Sequence, residues 1–470
     1  MSTTPGHNDE QAPGEIDPQL LAQLPGALAR WMPAQRWFPR KGMDVRPHIV
    51  AARALATPVD PADPGDAGQV RSWLLAVGLA PAGQATEETL VQVPVTVRTH
   101  RTGDDTHLIG ELAGSFVYDG PADPVFVDAL LAALEVPQGA ATPALGRPST
   151  VVCGEQSNTS IIVGAGAEDP LILKVFRTLD VGRNPDVEVV GALSQAGCDR
   201  VPALVGSLSG PLTGPGRDQG QETGTDLAVA GEYIGDSEDA WRVALKAASA
   251  GTDFTAEAAG LGAATAQVHA QLREVFGTWE FGRAARERLI EELAGRVRWA
   301  LQRAGALDPL RPQLRAHEHS LAALRDVELP AMQRIHGDYH LGQVLHSPSR
   351  GWVLLDFEGE PLRPLAQRAA PDLAMRDLVS LIRSFDYAAG HVAHHDPGAA
   401  QQARHWVQAA RDAFLAGYAR ATAAGPADPL EPTALYRALW VDKALYEVVY
   451  ETNNRPDWVP IPLQAVQEAL

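Results

Sequence analysis

Residues 335–345, IHGDYHLGQVL, and residues 352–361, WVLLDFEGEP, form the most informative part of this chain. Asp338 is followed five residues later by an amide, Gln343, and eighteen residues later by a second carboxylate, Asp356. Asp356 ends a short apolar run that is typical of a buried strand. Each of the three side chains alone could cap a turn, lie on the surface or end a strand. Their order and spacing together predict oxygen donors that converge on one site.

This order of side chains suits phosphoryl transfer. That reaction needs a carboxylate that orients the attacking hydroxyl and accepts its proton, and oxygen ligands for the Mg²⁺ that gathers the phosphate charge. We expect Asp338 to be the base and Gln343 and Asp356 to be metal ligands, since hard oxygen donors favour Mg²⁺ over zinc. The spacing matches the kinase template H-x-D-x-x-x-x-N followed by D-F-x. A kinase is therefore the first functional hypothesis.

A lysine further upstream fits the same template. Lys174 interrupts the apolar run LILKVF at 171–176, where an unpaired ammonium would be costly. Glu188 follows on a helix that the pair Asn184-Pro185 is expected to start. We predict that Lys174 and Glu188 pair and hold the α- and β-phosphates of a nucleotide. The alternative is an edge strand with the lysine head in water.

The segment that would cover the phosphates is EQSNTS at 155–160. It lacks the G-x-G-x-x-G pattern, so hydroxyl and backbone N–H groups would have to meet the phosphates. The residues assigned to this role are Ser157, Asn158, Thr159 and Ser160.

Composition limits the other possibilities. The chain has 470 residues, of which 45% are hydrophobic and 21% charged, as in a globular protein with two or three packed units. A formal charge of −19 argues against binding to nucleic acid or to an anionic membrane. Two cysteines exclude a disulfide framework. Without a signal peptide or a membrane-length apolar run, we expect a cytoplasmic protein.

The two halves of the chain differ in pattern. Strands are predicted at 70–77 and 90–97, with Pro94 placing the second of them toward a sheet edge. Apolar residues at helical spacing predict helices at 261–272 and 285–303. A strand-rich half followed by a helix-rich half indicates an α+β fold.

Further motifs occur along the chain. They are QRW at 35–37, QSNTS at 156–160, HGDYHLGQ at 336–343, DFEGEP at 356–361, RSFDY at 383–387, DKALYE at 442–447 and RPDW at 455–458. With these motifs, from about residue 28 to residue 467, the chain resembles the bacterial maltokinases. Aminoglycoside phosphotransferases share only the H-G-D core and the D-F pair.

The resemblance implies a bilobal protein-kinase-like fold of the α+β class. The residue pattern predicts a disordered lead-in at 1–18, and an N-terminal α+β cap unit would follow at 19–110. A β-rich intermediate lobe that binds the nucleotide would follow at 111–233, and a helical C-lobe at 234–470 would carry the catalytic and sugar-binding residues.

The resemblance also implies an activity. Family members transfer the γ-phosphate of ATP to the anomeric hydroxyl of maltose, which gives maltose 1-phosphate for α-glucan and glycogen synthesis from trehalose. ATP and Mg²⁺ would be the cofactors, Asp338 the base, Gln343 and Asp356 the Mg²⁺ ligands, and Lys174 with Glu188 the pair that holds ATP. Maltose and a trehalose synthase are the expected partners, and we expect a monomer that binds neither nucleic acid nor membrane.

One helix face is assigned to the sugar. Lys443, Tyr446 and Tyr450 stand at i, i+3 and i+7, which places them on one side of a helix. An ammonium and two phenols offer hydroxyl partners and ring faces to a disaccharide, and the resemblance puts them in the sugar-binding helix. An ordinary exposed helix face is the alternative. The opposite side is predicted to bury Leu445, Val448 and Val449.

Other polar residues near the motif receive separate predictions. His340, beside the base, is assigned to the substrate. His336 is predicted to make a structural hydrogen bond within the loop, and Asp377 to brace the same loop. The histidines of HVAHHD at 391–396 are predicted to form a solvated helix end rather than a metal site.

Two rival functions remain open. One is a kinase for another substrate, such as glucosamine or an aminoglycoside, whose amine would need an acidic acceptor cluster. The other is a catalytically inactive pseudokinase that acts as a scaffold. A pseudokinase should lack the base or a metal ligand, and the sequence lacks neither.

Overall fold

The structure of this protein is a computed structural model. It describes residues 16–57, 70–81, 88–152, 158–210, 224–360, 363–422 and 433–470. Most of the predicted lead-in and the phosphate-loop residue Ser157 lie outside the described residues.

The chain divides into two compact units, of which unit 1 comprises residues 1–187 and 203–235 and unit 2 comprises residues 188–202 and 236–470. The predicted cap and intermediate lobe both fall almost wholly within unit 1.

The first part of unit 1 is a helix packed on a five-stranded antiparallel sheet. Helix α1 (Pro18–Trp31) begins because the Asp17 carboxylate caps it and Pro18 suits the first helical position. Leu24 and Leu28 of this helix pack with the buried face of the sheet. The strands, in the spatial order β1-β2-β3-β5-β4, are β1 (Val45–Leu55), β2 (Val70–Pro81), β3 (Thr89–Arg98), β4 (Leu108–Leu112) and β5 (Ser115–Asp119).

Pro94 does not place its strand at an edge, so that expectation was wrong. β3 is the central strand of the first sheet, and Pro94 lies opposite Leu74 of β2. On its other side, β3 pairs with β5 only from Val95 to Arg98. Because proline lacks the N–H that a second neighbour would need, it is tolerated just before that pairing begins.

The second part of unit 1 is another five-stranded antiparallel sheet, with the order β6-β7-β8-β10-β9. Helix α2 (Pro124–Ala132) buries Phe126 and Leu130 with the apolar residues of these strands. The strands of this part are β6 (Ser149–Val151), β7 (Asn158–Val163), β8 (Leu171–Phe176), β9 (Leu204–Gly210) and β10 (Thr225–Glu232). Helix α3 (Pro185–Gln195) begins in unit 1, and its residues from Glu188 onward belong to unit 2. The helix predicted at Asn184-Pro185 is confirmed, since the Asn184 side chain accepts a hydrogen bond from the Asp186 N–H at 2.9 Å.

Unit 2 is mainly helical. A three-stranded sheet with the order β11-β12-β13 contains β11 (Glu238–Asp239), β12 (Val344–Ser347) and β13 (Gly351–Leu354). The helices are α4 (Ala240–Ala250), α5 (Thr255–Phe276), α6 (Arg283–Arg303), α7 (Arg311–Ser320), α8 (Leu365–Arg368), α9 (Ala374–His395), α10 (Ala400–Ala421), α11 (Ala434–Asn454) and α12 (Pro460–Ala469). The α+β prediction and the helical second half are therefore confirmed. Among the described residues, no helix has the length and hydropathy needed to span a membrane.

Two glycines allow α5 and α10 to pack with their backbones in contact. A Cβ atom added at Gly262 would lie 2.0 Å from the carbonyl oxygen of Phe414, and one added at Gly417 would lie 2.0 Å from that of Ala259. The neighbouring atoms are backbone atoms, which cannot rotate away as a side chain can. Residues other than glycine would therefore push the two helices apart.

We predict that Gly417→Ala lowers the free energy of unfolding by about 1–3 kcal/mol or more, because the added methyl group overpacks this contact. Gly295→Ala on α6 is the matched control, since the nearest atom to its added Cβ is the end of a flexible Arg298 side chain at 3.8 Å. The control should raise stability by about 0.5–1 kcal/mol through helix propensity. Urea unfolding of both variants measures the difference. Equal stability of the two variants would contradict the close contact.

Candidate active site

A β-hairpin brings the two predicted metal ligands together. In the antiparallel pair of β12 and β13, Val344 lies opposite Leu354, so the residue before β12 and the residues after β13 stand at the same end. The Leu355 N–H also donates to the Gln343 carbonyl at 2.9 Å. As a result, the Gln343 Nε2 and the Asp356 Oδ2 are 3.0 Å apart, although thirteen residues separate them along the chain.

Asp356 has an unusual backbone. Its φ of 61° lies in the left-handed region, and Asp356 and Ala113 are the two non-glycine residues with positive φ in the described part of the chain. Such conformations cost about 1–3 kcal/mol and are concentrated at functional sites. The strained backbone at a residue selected from sequence supports a functional role for its carboxylate.

The loop that carries Asp338 is held by one buried carboxylate. Asp377, at 1% exposure on α9, accepts hydrogen bonds from the backbone N–H groups of His336 at 2.8 Å and Gly337 at 2.9 Å. Its Oδ2 also lies 3.1 Å from the His269 Nε2. Burial acts to raise the pKa of Asp377, but the hydrogen bonds and the neighbouring imidazoles lower it overall. The prediction that Asp377 braces this loop is confirmed.

His336 and Gly337 fix the loop from its other side. The His336 Nε2 lies 2.8 Å from the Leu355 carbonyl oxygen, and the imidazole stacks on Phe357 with 4.7 Å between ring centroids. Gly337 has a φ of +83°, and a Cβ there would lie 3.2 Å from the Cα of Gly359. The structural role predicted for His336 is confirmed, and the D-F segment packs directly against the loop of the base.

Helix α11 presents the three predicted sugar-binding side chains on one face. Tyr446 and Tyr450 stack with their ring centroids 6.3 Å apart, and the Lys443 ammonium lies 5.6 Å from the Tyr446 ring centroid. Trp299 of α6 stacks on Tyr446 at 6.5 Å with an interplanar angle of 11°. Tyr450 is 45% exposed. The opposite side of the helix is buried as predicted, at Leu445, Val448 and Val449.

Electrostatic effects show that this helix face and the base share one environment. The pKa of His340 is lowered by its burial; the charge of Asp338 acts against this shift, while that of Lys443 adds to it. The pKa of Tyr446 is raised to about 12, chiefly by burial and in addition by the charges of Glu360 and Asp338. His340 itself turns its Nδ1 toward the Gly342 N–H at 3.0 Å. The structure therefore brings Asp338, His340, Lys443 and Tyr446 together.

Beneath this face lies a lattice of buried charges. Asp442 is 7% exposed and accepts from the Arg296 Nε at 3.2 Å and the Arg376 Nη1 at 3.1 Å. Arg376 also contacts Asp372 and Glu292, at 3.0 and 3.2 Å. A pocket beside these pairs is lined by Arg296, Asp372, Arg376, Asp442, Gly337, Gly359, Glu360, Arg363, Lys443 and Tyr446. The lattice thus joins helix α11 to the segment that contains Asp377.

In unit 1, Lys174 lies on a central strand. It pairs with Ser160 of β7 on one side and with Val229 of β10 on the other, which excludes the edge-strand alternative. Its Nζ is 3.2 Å from the Asp186 Oδ2, and the lysine side chain is only 13% exposed. The sequence analysis did not select Asp186.

Other nucleotide-side residues differ from the expected picture. Within unit 2, Glu188 contacts Arg334 at 2.8 Å, and its pairing with Lys174 stays a prediction. Asn158, Thr159 and Ser160 are strand residues of β7, buried and paired with β8, and do not belong to a loop. The Thr159 hydroxyl accepts from the buried Arg177 at 2.8 Å. The contact of these residues with phosphates also stays a prediction.

Two family models match the chain. The maltokinase N-terminal cap domain matches residues 31–123, and the phosphotransferase enzyme family matches residues 150–432, more than half of the chain. The chain belongs to the phosphotransferase enzyme family.

Among curated proteins, this phosphotransferase is 28% identical over 383 residues to the glucosamine kinase of Streptacidiphilus jiangxiensis, a match that covers 78% of this chain and 81% of the relative. The glucosamine kinase of Mycolicibacterium smegmatis is 27% identical over 334 residues, which cover 69% and 79% of the two chains.

A solved structure shows the same fold as this phosphotransferase. A glucosamine kinase in complex with glucosamine, ADP and inorganic phosphate has a TM-score of 0.65 with 22% identity, covering 95% of this chain and 99% of the other. The protein-kinase-like fold is therefore confirmed. The family models and these relatives also confirm the predicted family and the predicted enzyme class, an ATP-dependent sugar kinase.

Two buried carboxylates, Asp442 in unit 2 and Asp186 in unit 1, were not predicted from the sequence. For Asp442 a signal was available, because it stands on the buried side of α11, at i relative to Leu445 at i+3 and Val449 at i+7. A carboxylate on an apolar helix face predicts a buried partner. Nothing in the sequence indicates whether Asp186 or Glu188 would pair with Lys174, since both acids lie in the first turn of the same helix.

We predict that Asp377→Asn lowers the free energy of unfolding by about 1–3 kcal/mol at neutral pH, because the amide NH₂ cannot accept the second backbone hydrogen bond. The pKa of Asp377 is depressed in the native state from 3.8, so its stabilisation is fully present above that pH and is lost below it. The difference between wild type and variant should therefore shrink as the pH falls below 3.8 in urea titrations. Asp412→Asn, at an exposed carboxylate on α10, should change stability little at any pH. A difference that grows toward acid would contradict the assignment.

Proposed function

We propose that this phosphotransferase is a maltokinase, which transfers the γ-phosphate of ATP to the anomeric hydroxyl of maltose. The observation that carries the proposal is the maltokinase-type cap, matched at residues 31–123 ahead of the phosphotransferase region. The face formed by Lys443, Tyr446 and Tyr450 close to Asp338 supports it. The product, maltose 1-phosphate, would serve α-glucan synthesis, with a trehalose synthase as the partner that supplies maltose to a monomeric enzyme.

The base acts at the acceptor hydroxyl. The backbone of the loop fixes the position of Asp338. The N–H groups of the two preceding residues donate to Asp377, and Gly337 packs on Gly359. A carboxylate held in this way can orient the attacking oxygen and take its proton as the bond to phosphorus forms. His340, with its lowered pKa, stays neutral beside it and can hydrogen-bond a sugar hydroxyl without adding charge.

Gln343 and Asp356 fit a magnesium site by their chemistry. Both offer oxygen donors, which Mg²⁺ prefers, and the hairpin places them side by side. The Gln343 amide nitrogen donates to Asp356 here, so the amide would turn its oxygen inward to share a cation. When bound there, Mg²⁺ would neutralise charge on the β- and γ-phosphates.

Charge in the pocket favours a neutral sugar over an amino sugar. Its four carboxylates are already engaged: Glu360 with Arg363 at 2.8 Å, Asp372 with Arg376 at 3.0 Å, and Asp442 with two arginines. Asp377 is occupied by the catalytic loop. Among the described residues that line this pocket, an ammonium on the substrate would therefore find no unengaged acid, and it would face Lys443. These contacts support maltose.

The second candidate is a glucosamine kinase. It is favoured by the two curated relatives and by the solved structure with a TM-score of 0.65, each of which is a glucosamine kinase. We propose a coupled ATP-consumption assay across maltose, glucosamine, glucose and trehalose. Maltose should give the largest kcat/KM, and a larger value for glucosamine would replace the proposed acceptor while keeping the enzyme class.

We predict that Asp338→Ala lowers kcat for maltose by about 10²–10⁴-fold, because the general base is lost. Nucleotide affinity should survive, since no phosphate contact is removed. Asp356→Ala should weaken Mg²⁺-dependent ATP binding as well, measured by calorimetry with and without Mg²⁺. Asp326→Ala, an exposed carboxylate in the same unit, is the control. Near-normal turnover of Asp338→Ala would overturn the base assignment.

We predict that Tyr446→Ala raises the KM for maltose by about tenfold while the KM for ATP changes little. The expected loss corresponds to about 1.4 kcal/mol of ring contact with the sugar. Asn453→Ala, an exposed residue on the same helix, serves as the matched control. An unchanged KM for maltose would show that this face is an ordinary helix surface and does not bind the sugar.

A further inference from the structure

The residue that follows the base in the sequence is buried and anchored to helix α5. Tyr339 is 1% exposed, whereas its two neighbours, Asp338 and His340, are partly exposed. Its phenol oxygen lies 2.8 Å from the hydroxyl oxygen of Thr265, a fully buried residue in the middle of α5. Neither Tyr339 nor Thr265 has a role in the phosphoryl transfer proposed for Asp338.

The direction of this hydrogen bond follows from a second contact of Thr265. The Thr265 hydroxyl also lies 2.8 Å from the Leu261 carbonyl oxygen, which can only accept a hydrogen bond. Because a hydroxyl group has a single proton, Thr265 donates to Leu261 and accepts from the phenol of Tyr339. Burial raises the pKa of Tyr339, so the phenol keeps the proton that it donates. Among the described residues, Thr265 is the one hydrogen-bond acceptor of this phenol.

Helix α5 thus holds the loop of the base at two places that are one helical turn apart. Thr265 accepts from Tyr339, which follows the base. Four residues later, on the same side of the helix, His269 contacts Asp377 at 3.1 Å. Asp377 in turn accepts from the two backbone N–H groups that precede Asp338. The loop is therefore fixed on both sides of the base.

We propose that Thr265 is a positioning residue, which orients the Asp338 carboxylate by anchoring the side chain of Tyr339. The role rests on the assignment of Asp338 as the base and does not depend on which sugar is phosphorylated. The Tyr339 ring also packs on the imidazole of His336, with 5.1 Å between ring centroids, so a displaced phenol would disturb the loop before the base as well. Misplacement of a catalytic group by about 1 Å can lower the rate about 10²-fold.

A purely structural contact is the alternative. A threonine inside a helix is commonly satisfied by the carbonyl four residues earlier, as Thr265 is by Leu261, so its hydroxyl needs no second partner. The phenol of Tyr339, in contrast, would lose its acceptor without Thr265, and a buried hydroxyl without a partner is costly. The contact therefore serves the tyrosine and its loop rather than the helix.

The test compares kcat, KM and thermal unfolding of full-length variants, with ATP and the sugar that gives the largest kcat/KM. Thr265→Val keeps the side-chain shape but removes the acceptor. We expect its kcat to fall about tenfold or more, while the KM values for ATP and sugar stay within about twofold of wild type. Thr265→Ser keeps the hydroxyl and should restore kcat.

Thr452→Val on α11 is the matched control. It removes the same kind of bond, since the Thr452 hydroxyl donates to the Val448 carbonyl oxygen at 2.7 Å. This threonine does not contact the loop of the base in the described structure, so kcat should stay unchanged. An equal loss of kcat in Thr452→Val and Thr265→Val would contradict the proposal.

A double variant separates positioning from stability. Thr265→Val combined with Tyr339→Phe leaves no hydroxyl of this pair buried without a partner, so the midpoint of thermal unfolding should return close to that of wild type. The anchor is still missing, so kcat should stay low. Recovery of kcat together with stability would show that the contact is only structural and would overturn the proposal. If Thr265→Val alone does not fold, the double variant and Thr265→Ser decide the question by the same criteria.

The base assignment and the role of Thr265 can fail separately. Near-normal turnover of Asp338→Ala would show that Asp338 is not the base, and both ideas would be wrong. An inactive Asp338→Ala together with a normal kcat for Thr265→Val would leave the base in place and refute only the role of Thr265.

Discussion

The buried carboxylate of Asp377 supports the geometry of the whole catalytic region. A carboxylate in the protein interior needs donors, and the backbone N–H groups of an irregular loop need acceptors. At the start of α9 both requirements are satisfied, because Asp377 accepts hydrogen bonds from two consecutive backbone N–H groups of the loop. His269 provides a further contact, and its other ring nitrogen lies 3.0 Å from the Tyr418 hydroxyl on α10. The loop is therefore fixed by helices distant from it in sequence.

Other parts of the site are positioned relative to the same helix. Arg376, the neighbour of Asp377 in sequence, reaches Asp442 and so orients the helix that carries the aromatic face. The Phe357 ring stacks on the imidazole of His336, and the backbone N–H of His336 donates to Asp377. Because Asp356 precedes Phe357, this stacking contact also positions Asp356 just beyond the end of β13. The loop of Asp338, the segment that carries Asp356 and helix α11 are thus all connected to the first turn of α9. Because each link is buried or partly buried, it is less weakened by solvent than a surface ion pair.

The sequence predicted those features that depend on short-range spacing. The H-G-D and D-F motifs selected Asp338, Gln343 and Asp356, and helical periodicity placed Lys443, Tyr446 and Tyr450 on one face. Features that depend on tertiary neighbours were harder to predict. The partner of Lys174 in unit 1 is Asp186, and which acid of that helix would lie there depends on how the helix packs against the sheet. Pro94 was expected at an edge because proline lacks the backbone N–H that a second neighbouring strand would need, and β5, which pairs only from Val95 onward, was not predicted.

The same limit applies to residues 158–160. Their place in the kinase template assigned them to a phosphate-covering loop, but ladder pairing with β8 makes them part of a strand. The polarity of these residues is visible in the sequence, whereas strand pairing depends on a second strand, β8, from another part of the chain. The buried arginine lattice was missed for a related reason, since charged residues are normally assigned to the surface.

The β12–β13 hairpin has a consequence for how this site can vary among related chains. The spacing between Gln343 and Asp356 is set by the strand ladder and not by the number of residues that connect them. The connecting turn lies at the far end of the ladder, so it can lengthen or shorten without moving either ligand. An insertion within β12 or β13 would instead reverse the sides of the residues beyond it. A search for remote relatives should therefore fix the offset of each ligand from its own strand and leave the interval between the two ligands free.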